Sequence, residues 1–165
     1  MCARRSADAP WSTPANLGAA VNSTSDDRWP SISADGLALF FNSSRPGGKG
    51  GRDLWMCTRQ RTAEPFGTPV NLGGGVNHGH LSGRPALSLD GRTLYFNLDQ
   101  RGSCGTYLWQ VPLLPPGAEE WTTLPNGWRI GKPVNLGPTV NSSEIDRGPC
   151  LSADGRTLLF CSTRP

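Results

Sequence analysis

The sequence predicts an all-β fold of short antiparallel strands arranged as repeated meanders. Three observations lead there. A strand, Asp-Gly turn, strand pattern occurs three times. Glycine (21) and proline (15) are abundant in a chain of 165 residues. No long apolar stripe of helical period appears anywhere, so turns and short strands are favoured over helices.

The pattern runs Trp29-Pro30-Ser31-Ile32-Ser33-Ala34-Asp35-Gly36 and on through Phe40-Phe41. It returns as Arg84-Pro85-Ala86-Leu87-Ser88-Leu89-Asp90-Gly91 through Tyr95-Phe96, and as Gly148-Pro149-Cys150-Leu151-Ser152-Ala153-Asp154-Gly155 through Leu159-Phe160. An Asp-Gly pair between apolar runs predicts a tight hairpin with a type I′ turn. The copies are longer than the hairpin. Each opens with Asn-Leu-Gly, led by Asn16, Asn71 or Asn135, at spacings of 55 and 64 residues. Each then carries Val-Asn: Val21-Asn22, Val76-Asn77 and Val140-Asn141. The longer second spacing comes from an insertion between Trp109 and Ile130, with Pro115-Pro116-Gly117, which reads as a surface loop.

Within a copy, strand a starts at Pro30, Pro85 or Pro149, and strand b follows the Asp-Gly turn. In strand b, Leu39 and Phe41 oppose Phe40, as Leu94 and Phe96 oppose Tyr95, and Leu158 and Phe160 oppose Leu159. Both faces are apolar, so both need cover. Strand c is Asp53–Thr58 and Tyr107–Val111. Strand d is Phe66–Leu72 and Ile130–Leu136, with Trp11–Leu17 as its counterpart before the first full copy. Pro14, Pro69 and Pro133 cannot donate to a ladder, which places strand d at an outer edge.

A meander with two apolar faces needs a neighbour on each side. Stacking such sheets around an axis is the arrangement of a β-propeller. A parallel β-solenoid is the rival, but its coils are shorter and hold no internal hairpins. The chain divides into an N-terminal tail, 1–10, and one propeller segment, 11–165. Strand d of a preceding blade is 11–17, blade one 30–72, blade two 85–136, and strands a and b of blade three 149–162. That is a partial propeller of about two and three-quarter blades, against roughly four to eight in a closed ring. Completion by further blades of a longer chain, or by other copies, is expected.

The run Pro-x-x-Ser-x-Asp-Gly-x-x-Leu-x-Phe, followed in the first copy by Arg45-Pro46-Gly47-Gly48 and Asp53-Leu54-Trp55, resembles the WD-repeat-like (TolB-like) bacterial β-propeller repeat. The resemblance covers nearly everything from Trp11 to Pro165. The usual Ser-Pro-Asp-Gly is Ser33-Ala34-Asp35-Gly36, Ser88-Leu89-Asp90-Gly91 and Ser152-Ala153-Asp154-Gly155 here, without the proline. The resemblance implies a periplasmic or extracellular location. It does not name an activity.

Function is expected where loops converge. The b–c and d–a loops leave a meander at one end, opposite the Asp-Gly turns. Candidate binding residues on that loop face are Asp27, Arg28, Arg45, Lys49, Arg52, His78, His80, Arg101, Asp146 and Arg147, with solvation of loop tips as the plain alternative. Asp35, Gly36, Asp90, Gly91, Asp154 and Gly155 recur with the fold and are read as structural turn residues. No catalytic residue is assigned. No Ser/His/Asp order or nucleophile elbow occurs, and the sialidase-type Asp-box differs by placing a residue between aspartate and glycine.

No cofactor or metal is expected. Gly47-Gly48-Lys49-Gly50-Gly51 lacks the phosphate-loop spacing and a following helix. His78-x-His80 has no third ligand at a recognisable spacing. Asp26-Asp27 and Asp146 are read as turn caps ahead of strand a. The cysteines, Cys2, Cys57, Cys104, Cys150 and Cys161, fall at different repeat positions, which speaks against a disulfide framework. Asn22-Ser23-Thr24, Asn42-Ser43-Ser44 and Asn141-Ser142-Ser143 match a glycosylation pattern that a bacterial source would leave unused.

The net charge of +3 comes without a dense basic stripe, so nucleic acid is not an expected partner. No apolar run approaches the roughly eighteen residues of a membrane span. The amino terminus lacks the apolar stretch of a signal peptide. The leading expectation is a non-enzymatic binding or scaffold segment facing a protein or cell-envelope polymer. The alternative is the propeller part of a hydrolase, a glycosidase or a propeller-gated serine peptidase, with catalytic groups outside this chain.

Overall fold

In the computed structural model, residues 1–4, 6–49, 51–79, 81–99, 105–114 and 122–165 are described. Among them there is no helix. The first sheet has the order β1 (Asp27–Ile32), β2 (Ala38–Ser43), β3 (Asp53–Thr58), β4 (Val70–Asn71). The second is built on β5 (Ser82–Leu87), β6 (Thr93–Asp99) and β7 (Thr106–Leu114). Short strands β8 (Thr122–Thr123), β9 (Arg129–Ile130) and β10 (Val134–Asn135) complete it, with β9 and β10 both on β7. The third sheet pairs β11 (Asp146–Leu151) with β12 (Leu158–Ser162). All pairings within the sheets are antiparallel.

The sheets stack face against face. Ala38, Phe40, Leu54 and Met56 of the first sheet meet Leu94, Phe96, Leu98, Val111 and Leu113 of the second in one buried cluster. Leu39, Phe41, Trp55 and Cys57 point the other way, into a second cluster with Val21 and Phe66. Alternation along β2 therefore feeds two separate cores, as two apolar faces require. Burying a phenylalanine such as Phe40, which has no exposed surface, contributes about 2–3 kcal/mol. Of the first strands, β5 lies between β1 and β11 and touches both, whereas β4 touches only β3. Strand a is thus innermost; strand d is outermost in the first sheet, while in the second β8 lies outside the β9 part of strand d. The fold is all-β and has the arrangement of a partial propeller, as expected from the sequence.

Five local expectations need correction. The Asp-Gly turns are not type I′. Gly36, Gly91 and Gly155 have φ of 73°, 70° and 70°, but their aspartates are not left-handed. The Gly36 N–H donates to Ser33 O at 2.9 Å, so Ala34-Asp35 occupy the middle of a type I turn and Gly36 follows it in the left-handed region. The serine explains the choice. Ser33 Oγ donates to Asp35 Oδ1 at 2.5 Å and accepts the Ala38 N–H at 2.9 Å, and Asp35 Oδ1 also accepts the Leu37 N–H. Ser88/Asp90 and Ser152/Asp154 repeat this arrangement.

Second, strand a begins at Asp27, Ser82 and Asp146, three residues before each proline, and a register irregularity precedes the hairpin in all three copies. Third, residues 11–17 form no strand. Residues 1–3 pair with this segment instead: Ser12 N donates to Ala3 O at 2.8 Å, and Ala15 N to Met1 O at 2.9 Å. The stretch read as a free tail thus supplies its backbone partners. Fourth, the insertion before Ile130 is more than a surface loop. β7 runs on to Leu114, and β8 and β9 form a small hairpin on it; residues 115–121 lie outside those described.

The fifth concerns strand d, which is only two residues long in β4 and is split into β9 and β10 in the second sheet. Pro69 and Pro133 interrupt the ladder there. A side chain takes over the missing pairing. Asn77 Oδ1 accepts the Leu54 N–H at 2.8 Å, and Asn77 Nδ2 donates to Leu54 O at 3.0 Å. Asn141 does the same to Leu108. The Asn of Asn-Leu-Gly orients each one, because Asn71 and Asn135 accept from Asn77 and Asn141 at 3.0 and 2.9 Å. The recurrent asparagines are therefore substitutes for strand pairing.

Candidate functional site

The loop-rich end of the first sheet is held by one ion pair. Asp27 Oδ1 accepts from Arg45 Nη2 at 2.8 Å and from Ser43 Oγ at 2.6 Å. Its Oδ2 accepts from both the backbone N–H and the hydroxyl of Ser23. Arg45 also donates to Ala20 O and Val21 O and lies over the Phe41 and Trp55 rings. Burial opposes ionisation of Asp27, but the hydrogen bonds from Ser43, Arg45 and Ser23 outweigh it, so the carboxyl titrates below its ordinary value.

The third copy repeats the device. Asp146 accepts from Arg164 at 2.8 Å and from the Ser142 N–H and hydroxyl, while Arg164 donates to Ser162 Oγ and Val140 O. Its burial is likewise overcome by Arg164, Ser162 and Ser142, and its carboxyl is pushed well down. Asp27, Arg45 and Asp146 thus fasten loops to strands and cap the turns at Ser23 and Ser142.

Other candidates stay on the surface. Asp26 bridges Arg28 and Arg52, at 2.6 and 2.5 Å. Hydrogen bonding from Arg28 is the main reason its carboxyl is held below the ordinary value, with Arg52 assisting against burial. Lys49 is exposed, and its backbone N–H donates to buried Asp53. His78 Nδ1 lies 2.9 Å from Gly75 O, and its ring packs edge-on against Trp109. Arg147 is exposed. His80, Arg101 and Cys104 lie outside the described residues. Among those described, no group of three or more His, Cys, Asp or Glu is placed to hold a metal ion. Cys57 is buried and its thiol is pushed up to about 12 by desolvation, against the pull of Arg45 and Arg59.

Where the three inner strands meet, a cavity of about 240 Å³ opens among residues of all three copies. Its lining includes Trp29, Asn42, Arg52, Arg84, Asn97, Asp99 and Arg147. Trp29 and Arg84 hold repeat-equivalent positions, and the third copy has Gly148 there. The φ values are 51°, 48° and 66°. The irregularity in strand a therefore demands a left-handed residue, and glycine is its natural occupant. Trp29 and Arg84 adopt it at a cost of about 1 kcal/mol or more each. They stack, with the Arg84 guanidinium 5.0 Å from the Trp29 ring. Gly83 makes room: a Cβ there would come within 2.9 Å of the indole.

Sequence reasoning passed over Trp29, Asn42 and Asn97 as site residues and saw Arg84 only as one of the charges of the loop rim. The available signal was one position occupied by Trp, Arg and Gly in copies otherwise well matched.

No family model matches the chain, and no curated protein matches it. Among solved structures, it is similar to the crystal structure of TolB from Acinetobacter baumannii, with a TM-score of 0.49 and 16% identity. The match covers 80% of this chain and 25% of that one, so this chain spans about a quarter of the length of the protein it resembles.

Proposed function

We propose that this chain is a non-enzymatic binding or scaffold segment. It presents its loop-rich end to a protein or cell-envelope polymer, in a periplasmic or extracellular setting. The observation that supports the reading is a division of labour at that end. Asp27, Arg45 and Asp146 are spent on holding loops. Arg28, Lys49, Arg52, His78 and Arg147 remain at or near the surface, and Arg52 and Arg147 line the axial cavity. A rigid β scaffold with polar groups grouped at one end suits recognition.

The test is cosedimentation of the full chain with purified peptidoglycan sacculi, together with photo-crosslinking from position 28 to envelope proteins. Binding or a discrete crosslink is expected, reduced at least tenfold by combined Arg28→Ala, Arg52→Ala and Arg147→Ala. Substitution of Arg92 and Arg156, beside the Asp-Gly turns, is expected to leave it unchanged. Equal loss from both sets, or retention in both, would refute the loop-face assignment.

A further inference from the structure

We infer that the axial cavity recognises a hydroxylated carboxylate, the chemistry of a uronic acid residue. The inference rests on the loop end being the binding end, and it selects the ligand class within that reading.

Three features of the cavity wall support it. The first is charge. The wall holds Arg52, Arg84 and Arg147 against one carboxylate, Asp99. Arg52 is already bonded to Asp26, and Asp99 Oδ1 accepts the Leu81 N–H at 2.5 Å. Among the described residues, Arg84 and Arg147 have no carboxylate partner. Two planar guanidiniums from different blades suit a carboxylate, which takes parallel N–H donors.

The second is unspent hydrogen-bonding capacity. Asn42 and Asn97 are 0% and 8% exposed, and each has an amide oxygen with no donor. They occupy equivalent positions in consecutive copies, and both line the cavity. A buried acceptor left unpaired keeps its desolvation cost with nothing to offset it. Ligand hydroxyls, or a water bridging to them, supply the missing donors. A carboxylate alone satisfies the arginines but not these oxygens.

The third is the strained pair. The backbone asks for glycine, and blade three supplies it. Blades one and two keep Trp29 and Arg84 in left-handed conformations, with both side chains in the cavity wall. Strain retained at two equivalent positions, with the side chains meeting at the axis, is the pattern of a site under functional demand. The cavity lies below the usual 300–1,000 Å³ of drug-sized pockets, so one small residue fits better than a chain.

Isothermal titration of the full chain with glucuronate, glucose and acetate tests this directly. Glucuronate is expected to bind at least tenfold more tightly than either control, because only it carries both groups. Arg84→Ala and Arg147→Ala are each expected to weaken it about tenfold, and Arg84→Lys by less. Arg156→Ala, at the far end of the blades, is expected to leave it unchanged. Circular dichroism melting of each variant separates lost binding from lost folding.

Equal affinity for glucuronate and acetate, or undiminished affinity in folded Arg84→Ala, would overturn the inference. If sacculi or a crosslinked protein still bind the loop face in that case, the wider reading survives its narrower form. If glucuronate binds but no macromolecule does, the cavity assignment stands and the macromolecular role falls.

Discussion

The outer copies and the middle copy solve one mechanical problem with opposite chemistry. In copies one and three, the start of strand a is tied to the end of strand b by charge: Asp27 to Arg45 and Asp146 to Arg164, each supported by two serines. In the middle copy, Ser82 stands where Asp27 stands, Leu98 where Ser43 stands, and His78 where Ser23 stands. Leu98 is 1% exposed and belongs to the core between the first two sheets. Ser82 is also 1% exposed, and its hydroxyl donates a long 3.5 Å bond to Val76 O. The middle blade is covered on both sides, so apolar burial suffices there. The ion pairs occur in the copies at the two ends of the stack.

The contrast is broken most severely by moving the charge without its partners. Ser82→Asp buries a carboxylate at a position 1% exposed where Leu98 and His78 replace the serines that hold Asp27, and is expected to destabilise the fold by about 4 kcal/mol in urea titration. The same residue type stabilises the flanking copies. Arg45→Ala is the next largest, at about 3 kcal/mol, because it strands Asp27 in a site where both side chains are at most 13% exposed. Arg164→Ala is expected to cost somewhat less, about 2 kcal/mol: it strands Asp146, which is 0% exposed, but Arg164 itself is 37% exposed and water can enter the space it leaves. Equal losses at these two positions would show that burial does not set the strength of the clamp.

Acid sharpens the same comparison. The carboxyls of Asp27 and Asp146 are held down in the folded state, so the unfolded chain binds more protons once the pH drops below about 4. Their stabilisation is complete above that point and disappears as the pH falls through the lowered folded-state values. Urea midpoints are therefore expected to drop between about pH 4 and pH 2, and less steeply in the Asp27→Asn, Asp146→Asn double variant.

The smallest expected effect is at the axis. Arg84→Gly relieves backbone strain of about 1 kcal/mol while losing a guanidinium–indole contact of similar size. Its unfolding free energy from urea titration is expected to stay within about 0.5 kcal/mol of the parent, although arginine to glycine within a strand is ordinarily costly.

Much of the architecture was legible because it repeats. Alternation in Leu39-Phe40-Phe41 announced two cores, and both exist. Pro69 and Pro133 announced an outer edge, and strand d is there. What escaped the reading depends on non-local partners. The type I turn follows from Ser33 reaching across to Ala38, which the Asp-Gly pair alone does not reveal. The pairing of residues 1–3 with 12–15 has no periodic signature. The loop clamp did leave a trace, since Asp27–Arg45 and Asp146–Arg164 share one sequence separation of 18, but a separation acquires meaning only when the strands are brought together. The axial cavity was the hardest to foresee. Its key residues belong to different copies, and their left-handed backbone is visible only in coordinates.

The broken outer strand also decides how the molecule meets its neighbours. A long, straight rim would let a foreign chain zip onto it and seed sheet growth sideways. Here the rim is two residues at a time, stopped by proline, with asparagine side chains already occupying the backbone groups of Leu54 and Leu108. Lateral fusion of sheets has little to grip along this edge.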